Sequence, residues 1–331
     1  MIFHPLIIAL TSASVLTTFL VLYASAFGIE ILRRWDLSSG SELQLALERK
    51  TYLVSTVLAF VFAFQLLSLF LFIFTADRLH TSFIGAMCAA GTLHVNGAGY
   101  PALILKMLNF VLAGLWLILN AADVRGYDYP LTRKKYAFLL AIAPLILVEA
   151  AFQTAFFLRL KPDITTSCCG SLFSSAGNVR ITDLAALPVS PMKAVFAVVL
   201  FLTLAAGVFF LLRRRGAYVF AALAGSSLVV SLLAILSFIS LYIYELPSHP
   251  CPFCILQSAY GFLGYPIYAA LFGGGLCGLG VGLLQPFRKT ESLARVFPAF
   301  QRRLALASLL LWLVFAALAG YRIAVSNLIL P

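Results

Sequence analysis

The chain has 331 residues, of which 62% are hydrophobic and only 11% charged, where an ordinary soluble domain carries about 25% charged residues. This excludes a soluble enzyme with one anchor and leaves no polar stretch long enough for a separate soluble domain. The net charge of +11 would suggest nucleic acid in a soluble protein. Here it points instead to basic loops facing anionic lipid, and nucleic acid is not expected as a partner.

Eight apolar segments, each near the ~20 residues that cross a bilayer, fall at about 5–32, 51–75, 101–122, 136–160, 194–212, 217–244, 255–284 and 304–328. The predicted fold is all-α, a polytopic membrane protein with eight transmembrane helices forming one helical membrane domain over 1–331. The first segment has no Lys or Arg before it and so lacks the basic start of a signal peptide. Sixteen of the 23 Lys and Arg residues fall in the loops 33–50, 123–135, 213–216 and 285–303. The positive-inside rule places those loops in the cytoplasm and both termini outside. The loop 285–303 mixes Phe287, Phe297 and Phe300 with its basic residues; both a surface-lying amphipathic segment and a solvated linker fit it.

That orientation gives the cysteines a common geography. Cys88 lies in the outer loop 76–100, Cys168 and Cys169 in the outer loop 161–193, and Cys251 and Cys254 in the outer turn 245–254. Only Cys277 is inside a span, where its glycine-rich surroundings point to helix packing. The four histidines, His4, His80, His94 and His249, also fall at or near the outer face. An oxidising side of the membrane is where disulfides form and persist.

The segment His249-Pro250-Cys251-Pro252-Phe253-Cys254-Ile255-Leu256-Gln257 holds the most specific pattern. A C-x-x-C pair closes a small disulfide or grips one soft metal ion. A helix starting at Cys254 is expected to aim its N–H groups and positive dipole end at the sulfurs, raising the thiolate fraction. For the adjacent Cys168 and Cys169, a structural disulfide, redox exchange and soft-metal capture all remain open. Cys88 makes an odd number of outer cysteines, which marks a candidate relay thiol. Inside the spans, Glu149 is a costly buried carboxylate. It is either a proton-accepting site or a protonated acid bonded to Asn109 or Gln153.

The string Pro250-Cys251-x-x-Cys254-x-x-Gln257 resembles the P-C-x-x-C-x-x-Q-R motif of the DsbB family of quinone-coupled membrane proteins, with Ser258 in place of the Arg. The order of elements from span four to span seven resembles the vitamin K epoxide reductase family: a span, an outer cysteine pair, two spans, then C-x-x-C at the next span. The resemblance implies an accessory region over 1–122, a redox four-helix bundle over 136–284 and a final span over 304–331. It implies Cys251, Cys254, Cys168 and Cys169 as catalytic thiols and a quinone cofactor beside Gln257, for which Glu149, by its place inside a span, is a candidate proton acceptor. The expected function is thiol–disulfide exchange by a multi-pass inner-membrane protein. Its expected partners are the lipid bilayer and a periplasmic thioredoxin-like protein or a membrane complex subunit. Two alternatives stand beside it. One is soft-metal binding or transport through Cys88, His94, Cys168, Cys169, Cys251 and Cys254; the other is a non-catalytic subunit braced by disulfides.

Overall fold

The computed structural model describes residues 3–36, 41–161, 165–166, 188–288, 290–294 and 296–330. Among these the chain is helical, with no strand. The helices are α1 (Pro5–Arg34), α2 (Glu42–Leu79), α3 (Ala89–His94), α4 (Gly99–Asp123), α5 (Thr132–Leu158), α6 (Val189–Arg213), α7 (Ala217–Ala234), α8 (Ser240–Tyr244), α9 (Gly264–Leu284) and α10 (Phe297–Val325). A π-turn over Ile235–Ile239 joins α7 to α8, so the two act as one span. Counted that way, eight helices among the described residues are long and apolar enough to cross a membrane. Large apolar side chains such as Phe19, Leu67, Phe201 and Leu310 stand exposed on them, as lipid-facing residues must. The chain is a multi-pass membrane protein.

The span boundaries follow local chemistry. Pro5 opens α1 at a position needing no N–H donor, and His4 Nδ1 accepts a bond from the Leu6 N–H at 3.3 Å, which satisfies one of the free donors of a helix start. Arg214 and Gly216, both with positive φ (50° and 82°), turn the chain between α6 and α7. The start of α2, at Glu42 where 51 was expected, and the start of the seventh span depart most from expectation. The seventh span was predicted to begin beside Cys254, but α9 begins at Gly264. Between them lie two short 3-10 turns, Cys254–Leu256 and Ser258–Tyr260. Gly261 and Phe262 both take positive φ (64° and 55°), a backbone conformation that breaks an α-helix. Pro266 then sits in the first turn of α9, where its missing N–H costs nothing.

The chain divides into two compact units. One comprises Met1–Thr75, Val95–Pro162 and Pro286–Phe300; the other comprises Ala76–His94, Asp163–Gln285 and Gln301–Pro331. In the first, α5 packs on α1 and α4. Val21, Phe27, Phe62, Trp116, Tyr136 and Ile142 form the apolar core. The 285–303 segment, short turns leading into α10, is tied to the α4–α5 turn by two of its rings. Lys134 Nζ lies 4.3 Å from the Phe287 ring centre and the Arg125 guanidinium 4.3 Å from that of Phe300, cation–π contacts that hold it to the α4–α5 turn.

In the second unit, α7 packs on both α6 and α9. The α7–α9 crossing depends on small residues: a Cβ at Gly278 would run into Ala224. Close backbone approach of this kind is how helices associate without a hydrophobic driving force between them.

Glu149 is 2% exposed and belongs to the first unit. Lys106 Nζ lies 2.7 Å from its Oε1, and the amides of Asn109 and Gln65 each donate to its Oε2 at 2.5 Å. Lys106 also donates to Ser68 Oγ at 3.3 Å. Gln153, the other expected partner, donates instead to the Leu10 carbonyl at 3.2 Å. Removing one member of such a pair strands the other charge away from water, at a cost of about 3–5 kcal/mol. Glu149→Gln is therefore expected to destabilise the protein by about that amount in detergent unfolding, and the double change Lys106→Met/Glu149→Met to restore most of it. A double variant no better than the single would show that the pair is not the source of the loss.

Candidate functional site

The Cys251–Cys254 turn is built by its prolines and by α8. Glu245 takes a left-handed conformation (φ 55°) and ends α8. Pro247, Pro250 and Pro252 then prevent a helix from re-forming. The turn is tied down from both flanks. Tyr244, at the end of α8, donates its hydroxyl to the Cys251 carbonyl at 2.5 Å, and Tyr268 of α9 donates to the Pro252 carbonyl at 2.8 Å. The Tyr244 ring also packs on His249 (centroids 5.1 Å apart) and Tyr260 (4.8 Å).

Cys88 comes to this turn from 163 residues away. Its Sγ lies 3.5 Å from Cys251 Sγ, and the sulfurs of Cys88, Cys251 and Cys254 all fall within 4.8 Å of one another. All three are buried, at 0%, 2% and 5% exposure, and none is joined by a disulfide. His249 Nε2 stands 3.3 Å from Cys254 Sγ. All four residues belong to the second unit.

The segment carrying Cys88 is held by one acidic side chain and one amide. Asp77, in the last turn of α2, accepts the Ala89 N–H on Oδ1 at 3.2 Å. The same oxygen accepts the Gln257 amide at 3.0 Å, and that amide also donates to the Met87 carbonyl at 2.8 Å. Gln257 thus bridges the C-x-x-C turn to the residue just before Cys88. Its role is to position the thiols.

The electrostatics differ from the expected helix N-terminus. The Cys251 thiol is pushed well down from its ordinary range. The Cys254 and Cys88 thiols donate to its sulfur, as do the N–H groups of Phe253 and Cys254, while burial opposes them. Hydrogen bonds to the charged form favour the thiolate. The thiolate is therefore favoured at Cys251. The 3-10 turn and neighbouring sulfurs do here what a helix dipole was expected to do.

Of the sequence-predicted residues, Cys88, Cys251 and Cys254 converge and Gln257 adjoins them. Cys168 and Cys169 lie outside the described residues. His94 ends α3, is exposed, and is not among the residues whose ligand atoms gather within 4.8 Å; the histidine at the sulfurs is His249. Cys277 is half-buried within α9. Glu149 is engaged in its own network in the first unit. The sequence reading missed Asp77, Tyr244 and His249 as members of the site. His249 was within reach of inspection, two residues before Cys251; Asp77 was not, because only the fold brings the end of α2 to residue 257.

Two outcomes test this geometry. Losing a donor disfavours the thiolate, so the midpoint of the Cys251 thiolate absorbance titration should move to higher pH in Cys88→Ala; an unchanged midpoint would mean that Cys88 does not touch the charge. In Gln257→Leu, the loss of two hydrogen bonds, one to a carboxylate, should cost about 1–3 kcal/mol. It should also slow oxidant-driven Cys88–Cys251 bond formation, read by mass spectrometry. A rate equal to that of the unaltered protein would assign the positioning elsewhere.

No family model matches this chain, and no curated protein and no solved structure matches it either.

Proposed function

We propose that this protein exchanges thiols and disulfides at the non-cytoplasmic face of a membrane, with Cys251, Cys254 and Cys88 as the reacting groups. The observation that carries the reading is the 3.5 Å approach of Cys88 to Cys251 beside a C-x-x-C pair. Exchange needs a thiolate, an attackable sulfur and a resolving thiol within reach, and the three sulfurs supply each role. The basic loops support the sidedness: with those loops in the cytoplasm, both termini and the cysteines face an oxidising compartment. An inner membrane and a periplasmic partner are the setting that fits.

The Cys251 thiolate attacks one sulfur of a partner's disulfide. A Cys251–partner bond forms, the partner's own bond breaks, and its second sulfur leaves as a thiolate. Cys254 or Cys88, its proton passed to His249 or water, then attacks the Cys251 sulfur. That closes an internal disulfide and releases the reduced partner. Two electrons have gone to the partner, and the reverse sequence oxidises it. With exposures between 0% and 5%, a partner sulfur reaches Cys251 only when the 245–263 segment opens. Cys168 and Cys169 are proposed as the intermediary thiols on the resemblance alone. The same resemblance implies a quinone. Gln257 and Glu149, which were to serve it, are held by Asp77 and Met87 and by Lys106, Asn109 and Gln65, and no step here is routed through a quinone.

Trapping distinguishes the roles. Cys254→Ala alone keeps Cys88 at hand to resolve a mixed disulfide, so adducts on Cys251 should be scarce. Cys88→Ala/Cys254→Ala should accumulate them, identified by mass spectrometry after acid quench. Absence of an adduct in both, with a protein or small disulfide as probe, would overturn the exchange reading.

A further inference from the structure

We propose that Cys88, Cys251 and Cys254, when reduced, hold one thiophilic monovalent cation, Cu(I), in a trigonal all-sulfur site. This goes beyond thiol exchange and does not depend on it.

The spacing is the first argument. Metal–thiolate bonds of about 2.3 Å put three coplanar sulfurs about 4 Å apart. The observed sulfurs, with one pair at 3.5 Å and all three within 4.8 Å, bracket that value. A disulfide engages two of these sulfurs at a time, whereas a three-coordinate ion engages all three at once.

The donor set is the second. The three gathered ligand atoms are all sulfur, and soft thiolates select Cu(I) over hard cations. A closed Zn(II) site requires a fourth ligand. His249, the nearest imidazole, lies against Cys254 at 3.3 Å but is not within 4.8 Å of all three sulfurs. It serves as a supporting group that orients Cys254. His94, expected among soft-metal ligands, is outside the set.

Burial and preorganisation are the third. The site is shielded from water, and its two segments are fixed by Asp77, Gln257, Tyr244 and Tyr268, so little ordering is left to be done when an ion enters. A Cys251–Cys254 disulfide removes two of the three ligands, so the metal-bound and oxidised forms exclude each other.

The test uses the full chain in detergent, reduced and oxygen-free, titrated with Cu(I) against a chromophoric Cu(I) chelator. One ion per chain is expected in competition, with three sulfurs at about 2.3 Å by X-ray absorption. Cys88→Ser, Cys251→Ser and Cys254→Ser should each weaken binding beyond the roughly 10–100-fold that loss of a supporting residue costs. His249→Ala should stay within that range, and protein oxidised beforehand should bind none. Retention of Cu(I) by the triple serine variant, coordination by fewer than three sulfurs, or preference for Zn(II) would each overturn the assignment. Melting temperature controls for folding of each variant. Disulfide exchange is measured on the same samples: exchange without Cu(I) binding overturns only this site, and Cu(I) binding without exchange overturns only the proposed function.

Discussion

The bridge made by Gln257 is the contact on which the candidate site depends. One amide reaches both the Asp77 carboxylate and the Met87 carbonyl, and Asp77 also receives the Ala89 N–H. Cys88 lies between Met87 and Ala89, so both of its neighbours are fixed while its side chain points into the turn. A hydrogen bond to a charged acceptor contributes about 1.5–3 kcal/mol, which is enough to hold a short segment in place.

The turn itself is irregular because regular structure would spoil it. A helix running from Cys254 would commit the N–H groups at its start to a fixed direction and carry the following side chains around its axis. The 3-10 turns instead leave the Phe253 and Cys254 N–H groups directed at Cys251, and leave Gln257 extended (ψ 158°) toward Asp77. The left-handed Gly261 and Phe262 are where the chain returns to helix. Backbone strain of this kind persists where surrounding contacts over-determine it. Here those contacts include the Gln257 carbonyl, which accepts the Phe262 N–H at 3.1 Å.

The two units treat buried polarity differently. In the first, Lys106 with Glu149 and Lys135 with Asp123 are ion pairs at 2.7 Å, all four side chains nearly fully buried. Each charge has a partner and added hydrogen bonds, the condition under which a buried pair is tolerated. In the second, sulfur, hydroxyl and imidazole groups gather around Cys251. The sulfurs among them change redox state by thiol–disulfide exchange, whereas the carboxylate–ammonium pairs are each held by an opposite charge. This is why the thiol cluster, and not Glu149, is the place to look for chemistry.

The sequence by itself determined the all-helical membrane class, the eight spans to within a few residues at most ends, and the prominence of Cys251 and Cys254. Those features are carried by composition, hydrophobic run length and local spacing. It also marked Cys88 as an odd thiol, but could not choose its neighbour, because nothing in a linear chain ties residue 88 to residue 251. It misplaced the start of the seventh span, since apolar content continues through 255–263 while two left-handed residues end the helical path. It named Asn109 as a partner of Glu149, which the structure bears out, but not Lys106 or Gln65. The tertiary structure decided which cysteines meet, that His249 and not His94 stands beside them, and that Asp77 and Gln257 hold them there. Long-range contacts of this kind depend on how helices pack, and packing is a property of surfaces that only the folded chain possesses.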